Sequence, residues 1–324
     1  MSCIPSLKEL LVQAHASGEL TLPLPGHGAT ALRHEALKRW GAKDLSLARI
    51  AEAHTDALAI LAEAGKAARA ETLYGVWASD GPASRLTYTC RTDVGFELKG
   101  TKQFCSGATF LEAALVTAHG EQGMLLLDVA LDDAGITPQP SAWQSAAMAD
   151  TNTVAVDFTE VSVPASRAIG GPNWYLTRPG FWHGAIGPAA CWAGGALSLI
   201  EAASKLGRKD PHSRAQVGAL QSLGWALNAY LDRSGQEIDA DPEDETGEAR
   251  VRALKVRHLI ERACTEVLDR FGRATGPQLL AHDAQAARQH LALTLYIRQC
   301  HAERDLETIP AKSADAQQRA ADAQ

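Results

Sequence analysis

The period of the hydrophobic pattern changes twice along this chain of 324 residues, and this change constrains its fold more than any other feature. Apolar residues recur at helical spacing before Tyr74, alternate with polar residues from there to Ser166, and return to helical spacing after Pro188. Alternation indicates strands, whereas helical spacing indicates an amphipathic helix. We therefore predict an α+β multidomain protein with a short N-terminal helical unit, a central antiparallel β domain and a C-terminal four-helix bundle. The predicted domains cover residues 1–71, 72–170 and 171–310, followed by a disordered tail over 311–324.

The N-terminal pattern predicts short helices over 5–17 and 30–40 and a longer helix that follows Asp44. Asp44 suits an N-cap, because its carboxylate can accept a hydrogen bond from a free backbone N–H, and Gly65 suits the end of the helix. His54 falls on the apolar face of this helix. We interpret it as a half-buried structural histidine, with a ligand or catalytic role as the alternative.

Residues 92–95 predict the turn of a β-hairpin within the central segment. After Pro188, helical stretches are separated by short breaks rich in glycine, proline and aspartate. These stretches cover residues 187–206, 213–234, 247–271 and 279–308. Four long helices in succession predict an antiparallel bundle.

Composition excludes several classes of function. The chain carries a net charge of -7 and is 46% hydrophobic, which argues against a nucleic-acid or anionic-membrane surface and favours small-molecule chemistry. Its six cysteines form no C-x-x-C pair, and we predict reduced thiols and no metal site. The start of the chain lacks a signal-peptide pattern, and we find no apolar run that predicts a membrane span. We predict a cytoplasmic protein.

Two neighbouring segments carry the most specific pattern. Residues 99–118, KGTKQFCSGATFLEAALVTA, follow YGVWASD at residues 74–80. Together they resemble the flavin-facing strands of the acyl-CoA dehydrogenase family. The resemblance implies that Phe104 lies beside the isoalloxazine ring, that Ser106 offers a hydroxyl to its reactive edge, and that Ser79 binds substrate.

A third segment extends the resemblance, which covers residues 44–306. Trp143, Met148 and Thr151 precede TVAVDFTEVSVP, as in the closing β segment of that family. The chain is thus identified as a divergent member of the family with a shortened N-terminal helical domain. The implied fold is the acyl-CoA dehydrogenase-like fold.

The resemblance also implies FAD as cofactor. Arg208 stands where the family has an arginine for the pyrophosphate, although a solvated basic turn is an equally good interpretation. FGRATG at residues 271–276 resembles the glycine-rich turn that receives the adenine end of FAD from a neighbouring subunit. Gly272 and Gly276 match that turn, whereas Arg273 replaces a glycine. Use of this turn implies a homodimer or homotetramer.

The usual catalytic base of the family is missing. Ile297 follows Tyr296 where the family has its glutamate, and an isoleucine cannot remove a proton. A polar stripe at helical spacing lies in the same region and contains His290, Thr294, Arg298 and His301. One interpretation makes Arg298 an anion-binding residue and His301 an alternative proton acceptor; the other makes the stripe a solvated edge or an intersubunit polar seam. Glu201 and Glu303 are further acid candidates.

These patterns leave three hypotheses. The first is an FAD-dependent oxidoreductase that oxidises the α,β bond of an acyl thioester such as an acyl-CoA. The second is a flavin-dependent monooxygenase on the same fold, which needs no α-proton base. The third is a catalytically silent scaffold whose flavin motifs have decayed.

Overall fold

The computed structural model describes residues 5–81, 85–91 and 95–310. The chain divides into two compact units. The first unit comprises Met1–Thr21, Ile50–Ser145 and Ala149–Phe181, and the second comprises Leu22–Arg49, Ala146–Met148 and Trp182–Gln324. The three-domain boundaries given above stay a prediction, and the tail over 311–324 lies outside the described residues.

The N-terminal helices form where the pattern predicts them: α1 covers Leu7–Ala16, α2 covers Thr30–Lys43 and α3 covers Leu45–Glu63. Asp44 Oδ1 accepts the backbone N–H of Leu47 at 2.9 Å, which confirms the predicted cap. Gly65, just beyond α3, has a φ of 63°. His54 is fully buried and not half-buried, and its Nδ1 accepts the backbone N–H of Tyr74 at 3.1 Å.

The central segment forms one sheet from eight strands of the described chain. The strands are β1 (Tyr74–Trp77), β2 (Thr87–Arg91), β3 (Gly95–Cys105), β4 (Ala113–Gly120), β5 (Gly123–Ala130), β6 (Ile136–Pro138), β7 (Val154–Pro164) and β8 (Ala168–Ile169). Their order is β6-β7-β3-β2-β4-β5-β8, with β1 beside β4.

Most neighbours in this sheet are antiparallel, as predicted, but β1 and β2 each pair with β4 in parallel. The antiparallel pair β2 and β3 lies between β1 and β4 in the sequence, and so the chain enters β4 in the direction in which it left β1. The predicted hairpin turn falls at residues 92–94, which lie outside the described residues, while β2 and β3 pair on either side of it.

The sheet of the first unit has an apolar core on each face. One core gathers side chains from β3, β4, β5 and β7, including Leu98, Val156 and Phe158. The other packs Ile60 and Leu61 of α3 against the sheet. Both faces are therefore covered, and the polar groups described below are exceptions within a dry environment.

The helices that follow begin with the short segments α4 (Trp174–Thr177) and α5 (Pro179–Gly184) and continue as α6 (Gly187–Lys205), α7 (Pro211–Ala240), α8 (Ala249–Thr275), α9 (Pro277–His282) and α10 (Ala284–Tyr296). The helix predicted over 279–308 is wrong as a continuous element. Asp283 accepts the backbone N–H of Ala286 and starts α10 as a separate helix. A 3-10 turn follows at Ile297–Gln299, Cys300 is extended, and the chain becomes helical again at 303–310.

Two glycines let α2 and α6 approach each other closely in the second unit. A Cβ at Gly41 would strike the carbonyl oxygen of Cys191, and a Cβ at Gly194 would strike that of Lys38. The obstructing atoms are backbone atoms of a helix, which cannot move aside independently. Both positions therefore require glycine, the residue without a Cβ, for this helix contact.

One helical stretch in the described residues, Pro179–Lys205, is long and apolar enough by composition to cross a membrane, whereas the apolar runs of the sequence predict no span. Within that stretch, 67% of the most apolar 18-residue segment is buried inside the protein. Core helices of globular proteins commonly have such a composition, because their apolar side chains pack against the protein.

We expect Gly194→Ala to lower the free energy of unfolding by about 1–3 kcal/mol, because the added methyl group overpacks the contact with α2. Gly218→Ala on α7 is the matched control: nothing lies within 4 Å of a Cβ there. Better helix propensity should make that control up to about 1 kcal/mol more stable. Urea unfolding of both variants measures the difference, and equal effects would contradict the close approach.

His34 makes the stability of the second unit depend on pH. Burial lowers the pKa of His34 to about 4, and its Nδ1–H donates to the Leu231 carbonyl at 3.1 Å. The unfolded chain binds this proton near pH 6.5, so stability is complete above that pH and falls as the pH drops toward 4. The loss from this group is at most about 3 kcal/mol.

In His34→Asn the amide can still donate to Leu231 but does not titrate. We therefore expect the variant to lose less stability than the wild type between pH 6.5 and pH 4. Unfolding midpoints across this range measure the difference between the two proteins. Parallel pH profiles would contradict a neutral buried His34.

Candidate functional site

The end of β3 places an aromatic ring at the surface. The pairing of β3 with β7 changes register between Lys102 and Cys105, which marks a bulge. Within it Phe104 has a φ of 57°, a left-handed conformation that costs a bulky residue about 1–3 kcal/mol. Phe104 is 61% exposed, although most large apolar side chains of the sheet are buried. A strained backbone that presents a ring to the outside marks a candidate binding surface.

Ser106, two residues further on, is buried and held by several hydrogen bonds. Its Oγ lies 2.9 Å from Oγ1 of Thr153, which in turn lies 2.8 Å from Oγ1 of Thr151. The Ser106 carbonyl accepts the indole N–H of Trp77 at 3.1 Å, and the Gly107 N–H donates to the Thr151 carbonyl at 2.8 Å. The hydroxyl of Ser106 thus belongs to a fixed polar group beside the exposed ring.

A buried lysine anchors the strand just before the bulge. Lys102 is 0% exposed, and its Nζ donates to Asp80 Oδ1 at 2.7 Å and to Thr117 Oγ1 at 2.6 Å. Asp80 Oδ2 also lies 2.7 Å from His119 Nε2. These contacts join β3 and β4 to the segment that follows β1. Ser79 lies in that segment and is exposed.

Burial and pairing shift the titration of these two charged groups. Burial lowers the pKa of Lys102, and its contacts with Asp80 offset this only in part. Burial also acts to raise the pKa of Asp80, but hydrogen bonds from Lys102 and His119 outweigh it, so the net pKa is lowered. Asp80 therefore stays ionised at neutral pH and supplies the counter-charge that Lys102 needs.

The second unit brings two of the predicted cofactor residues together. Arg208 is exposed, and its Nη2 donates to the Thr275 carbonyl at the end of α8, at 2.7 Å. Gly276, the next residue, has φ 60° and ψ -155°, a conformation essentially confined to glycine. This glycine is thus explained by the turn between α8 and α9, whether or not a ligand binds there.

Gly272 differs from Gly276, because it lies inside α8 in helical conformation. Nothing lies within 4 Å of a Cβ built at Gly272, so the protein itself would accept a side chain there. Arg273, which stands in place of a family glycine, forms an i,i+4 ion pair with Asp269. The predicted close approach of a cofactor to this turn stays a prediction.

The predicted polar stripe is interrupted. The helix α10 ends at Tyr296, so His301 lies beyond it and shares no helix face with His290. His301 is exposed, with its Nδ1 3.5 Å from Asp305 Oδ1. Arg298 donates to Oε1 of the buried Glu261 at 2.7 Å. Arg298 thus balances a buried carboxylate, and the roles assigned to Arg298 and His301 stay predictions.

The further acid candidates lie at the surface. Glu201 is 64% exposed in its side chain and pairs with Lys205 at 2.5 Å, and Glu303 is exposed in the last helical segment. Neither carboxylate is enclosed by the protein. Ile297 itself is 1% exposed.

Sequence reasoning missed the residues that support Ser106 and Phe104. Lys102 has a signal in the sequence: it occupies a core-facing position of β3, where a lysine requires a buried partner. Thr153 has no such signal, because its contact with Ser106 spans 47 residues and appears only when β3 and the start of β7 are adjacent.

Comparison with known proteins finds similarity in sequence and in fold. No protein-family model matches the chain. It is 29% identical over 188 residues to the dibenzothiophene monooxygenase of Rhodococcus qingshengii, a match that takes in 50% of this chain and 44% of the relative's length.

Two solved structures show the same fold at low sequence identity. One is a dibenzothiophene monooxygenase from Paenibacillus sp. A11-2 in complex with FMN and indole (TM-score 0.78, 17% identity, 94% of both chains). The other is the FAD complex of PigA (TM-score 0.75, 15% identity, 96% of this chain and 90% of PigA). This likeness confirms the predicted fold class.

We expect Asp80→Asn to destabilise the first unit by about 3 kcal/mol, the low end for a broken buried ion pair, because Asp80 is partly exposed. Adding Lys102→Met should restore stability, since the double variant no longer buries an unpaired charge. Glu97→Gln removes the partner of the exposed Arg91 and is the control, with an expected loss below about 1 kcal/mol. Chemical unfolding measures all three; a double variant no more stable than Asp80→Asn would contradict this account.

Proposed function

We propose that this chain binds a flavin and acts as an oxidoreductase on the acyl-CoA dehydrogenase-like scaffold. The observation that carries the proposal is the pairing of an exposed, strained Phe104 with the fixed hydroxyl of Ser106 at the end of β3. An aromatic face and a hydroxyl are the two features that a planar, nitrogen-edged ring system needs for packing and for orientation.

The second unit, taken by itself, carries a group of the kind that binds phosphate. Arg208 presents an exposed guanidinium of which Nη2 is engaged with Thr275, and guanidinium groups bind phosphate oxygens well. The open space at Gly272 accommodates close approach of a ligand. FAD is the form that the resemblance implies; because the two related structures contain FMN and FAD respectively, both are tested below.

The reaction that we propose is monooxygenation. A reduced flavin would supply two electrons to molecular oxygen, so that one oxygen atom is transferred to an organic substrate and the other leaves as water. The favouring observation is Ile297, the residue that the resemblance aligns with the dehydrogenase base; it is buried and cannot remove an α-proton. Loss of a general base typically costs on the order of 10²- to 10⁴-fold in rate. By analogy with the relatives, the substrate class is a small aromatic or organosulfur compound.

Dehydrogenation of an acyl-CoA is the second candidate, on the strength of the motif around Phe104 and Ser106. It needs a proton acceptor, for which His301 is the nearest histidine in sequence to Ile297. The exposed position of His301 beyond α10 makes this candidate the weaker one.

Assembly and location follow the same reasoning. We propose a cytoplasmic homodimer or homotetramer with a small-molecule substrate and no nucleic-acid partner. Trp225 on α7 is 76% exposed, which suits a surface covered by another copy. Sedimentation of the purified protein tests the oligomeric state directly.

Titration of the purified protein with FMN and with FAD tests the proposal. We expect saturable binding of one of them, with a perturbed visible spectrum. Ser106→Ala should weaken this binding about 3- to 10-fold, the effect of one lost hydrogen bond. Thr101→Val is the matched control, because it removes a different hydroxyl of β3, one that donates to Asp157 of β7. A protein that binds neither flavin would favour the silent scaffold.

Two reactions then separate the enzyme hypotheses. Anaerobic bleaching of the bound flavin by an acyl-CoA thioester would indicate dehydrogenation and contradict our preference. We expect no bleaching, and instead oxygen-dependent oxygenation of an aromatic or organosulfur probe such as indole or dibenzothiophene when reduced flavin is supplied. Incorporation of labelled oxygen from O₂ into the product measures that outcome.

A further inference from the structure

Three hydroxyl groups in the first unit form a continuous chain that ends at Ser106. The oxygens of Thr151 and Thr153 lie 2.8 Å apart, and those of Thr153 and Ser106 lie 2.9 Å apart. Thr151 is 1% exposed and Ser106 is 6% exposed, so solvent has little access to either hydroxyl. The Gly107 N–H donates to the Thr151 carbonyl at 2.8 Å, which fixes the backbone at Thr151 relative to that beside Ser106.

Each hydroxyl has one hydrogen to donate and two lone pairs that accept. A chain of three therefore has two polarities. In one polarity Thr151 donates to Thr153 and Thr153 donates to Ser106, which leaves the Ser106 hydrogen free to point outward. In the other polarity Ser106 donates to Thr153, and the lone pairs of Ser106 face outward.

We propose that Thr153 is a positioning residue that lets Ser106 act either as a donor or as an acceptor toward a bound flavin. This inference rests on the proposed function. The ring nitrogen nearest a dehydrogenation or oxygenation centre carries no hydrogen in the oxidised flavin and carries one in the reduced flavin. Ser106 must donate in the first state and accept in the second, and rotation of three hydroxyl groups interconverts the two.

Removal of the Thr153 hydroxyl affects the two states unequally. When Ser106 donates outward, removal of the Thr153 hydroxyl takes away only the hydrogen bond that the Ser106 oxygen accepts from Thr153. When Ser106 accepts from outside, its own hydrogen is left without a partner in a buried position, and an unsatisfied buried donor is the costlier defect. The reduced state therefore depends on Thr153 more than the oxidised state does.

The test compares the affinities of the whole protein for oxidised and reduced FMN or FAD, whichever the wild type binds, under anaerobic conditions. In Thr153→Val we expect the affinity for the reduced form to fall about tenfold more than the affinity for the oxidised form. For a two-electron couple this lowers the midpoint potential of the bound flavin by about 30 mV. Thr153→Ser keeps the hydroxyl and should restore the wild-type ratio. Thr101→Val, which removes a hydroxyl on β3, should leave the ratio unchanged.

The outcomes separate the two levels of the proposal. A wild type that binds no flavin in either state overturns the proposed function and this inference with it. A wild type that binds flavin while Thr153→Val loses both affinities equally, or loses neither, overturns the inference alone. A shifted ratio that Thr153→Ser does not restore, or that Thr101→Val reproduces, also overturns it.

A second pair of variants covers the case in which Thr153→Val does not fold, as judged by circular dichroism and thermal unfolding. Thr151→Val acts one link further along the chain, and Thr153→Cys replaces the hydroxyl by a weaker donor and acceptor. Both should shift the ratio in the same direction by a smaller factor. Ratios equal to the wild type in both variants would contradict the role of the chain.

Discussion

The buried ammonium group of Lys102 is the constraint on which the candidate site of the first unit depends. A charge removed from water is costly unless partners surround it, and Asp80 and Thr117 supply those partners from the segment after β1 and from β4. A shift of β3 along its neighbours would therefore separate Lys102 from these partners. The change of register begins immediately after this fixed point, so the positions of Phe104 and Ser106 are set relative to Lys102.

The features that could be predicted from the sequence are those with a local cause. The period of the hydrophobic pattern identifies helices and strands because each element buries one face, and Asp44 bounds α3 because a cap bonds within three residues of itself. The parallel pairing of β1 with β4 could not be predicted this way, because it depends on residues about 40 positions apart. The break at Ile297–Gln299 was missed because apolar spacing continues across it.

In the candidate site, too, the residues with a local sequence signal could be predicted and those that depend on long-range contacts could not. Phe104 and Ser106 were found because a short motif contains both of them. Thr153, by contrast, is one of many threonines in the sequence, and only the adjacency of β3 and β7 gives it a partner. The position of His301 was predicted from helical spacing, which ceases to apply once α10 ends at Tyr296. Motifs thus identify the groups that would touch a ligand, whereas the groups that hold them require the tertiary structure.

The chemistry of the groups around Ser106 bears on the type of reaction. Hydroxyl groups can reorient a hydrogen bond. A neutral hydroxyl does not act as a proton acceptor near neutral pH unless an adjacent base first removes its own proton. Lys102 and Asp80, the charged pair nearest along β3, already neutralise each other. The first unit therefore offers orientation and hydrogen bonding at this place, and Ile297 is the residue that the resemblance aligns with the glutamate of acyl-CoA dehydrogenases. Such a set of residues suits a reaction in which the cofactor carries the electron transfer and no carbon acid has to be deprotonated by the protein, as in oxygen transfer.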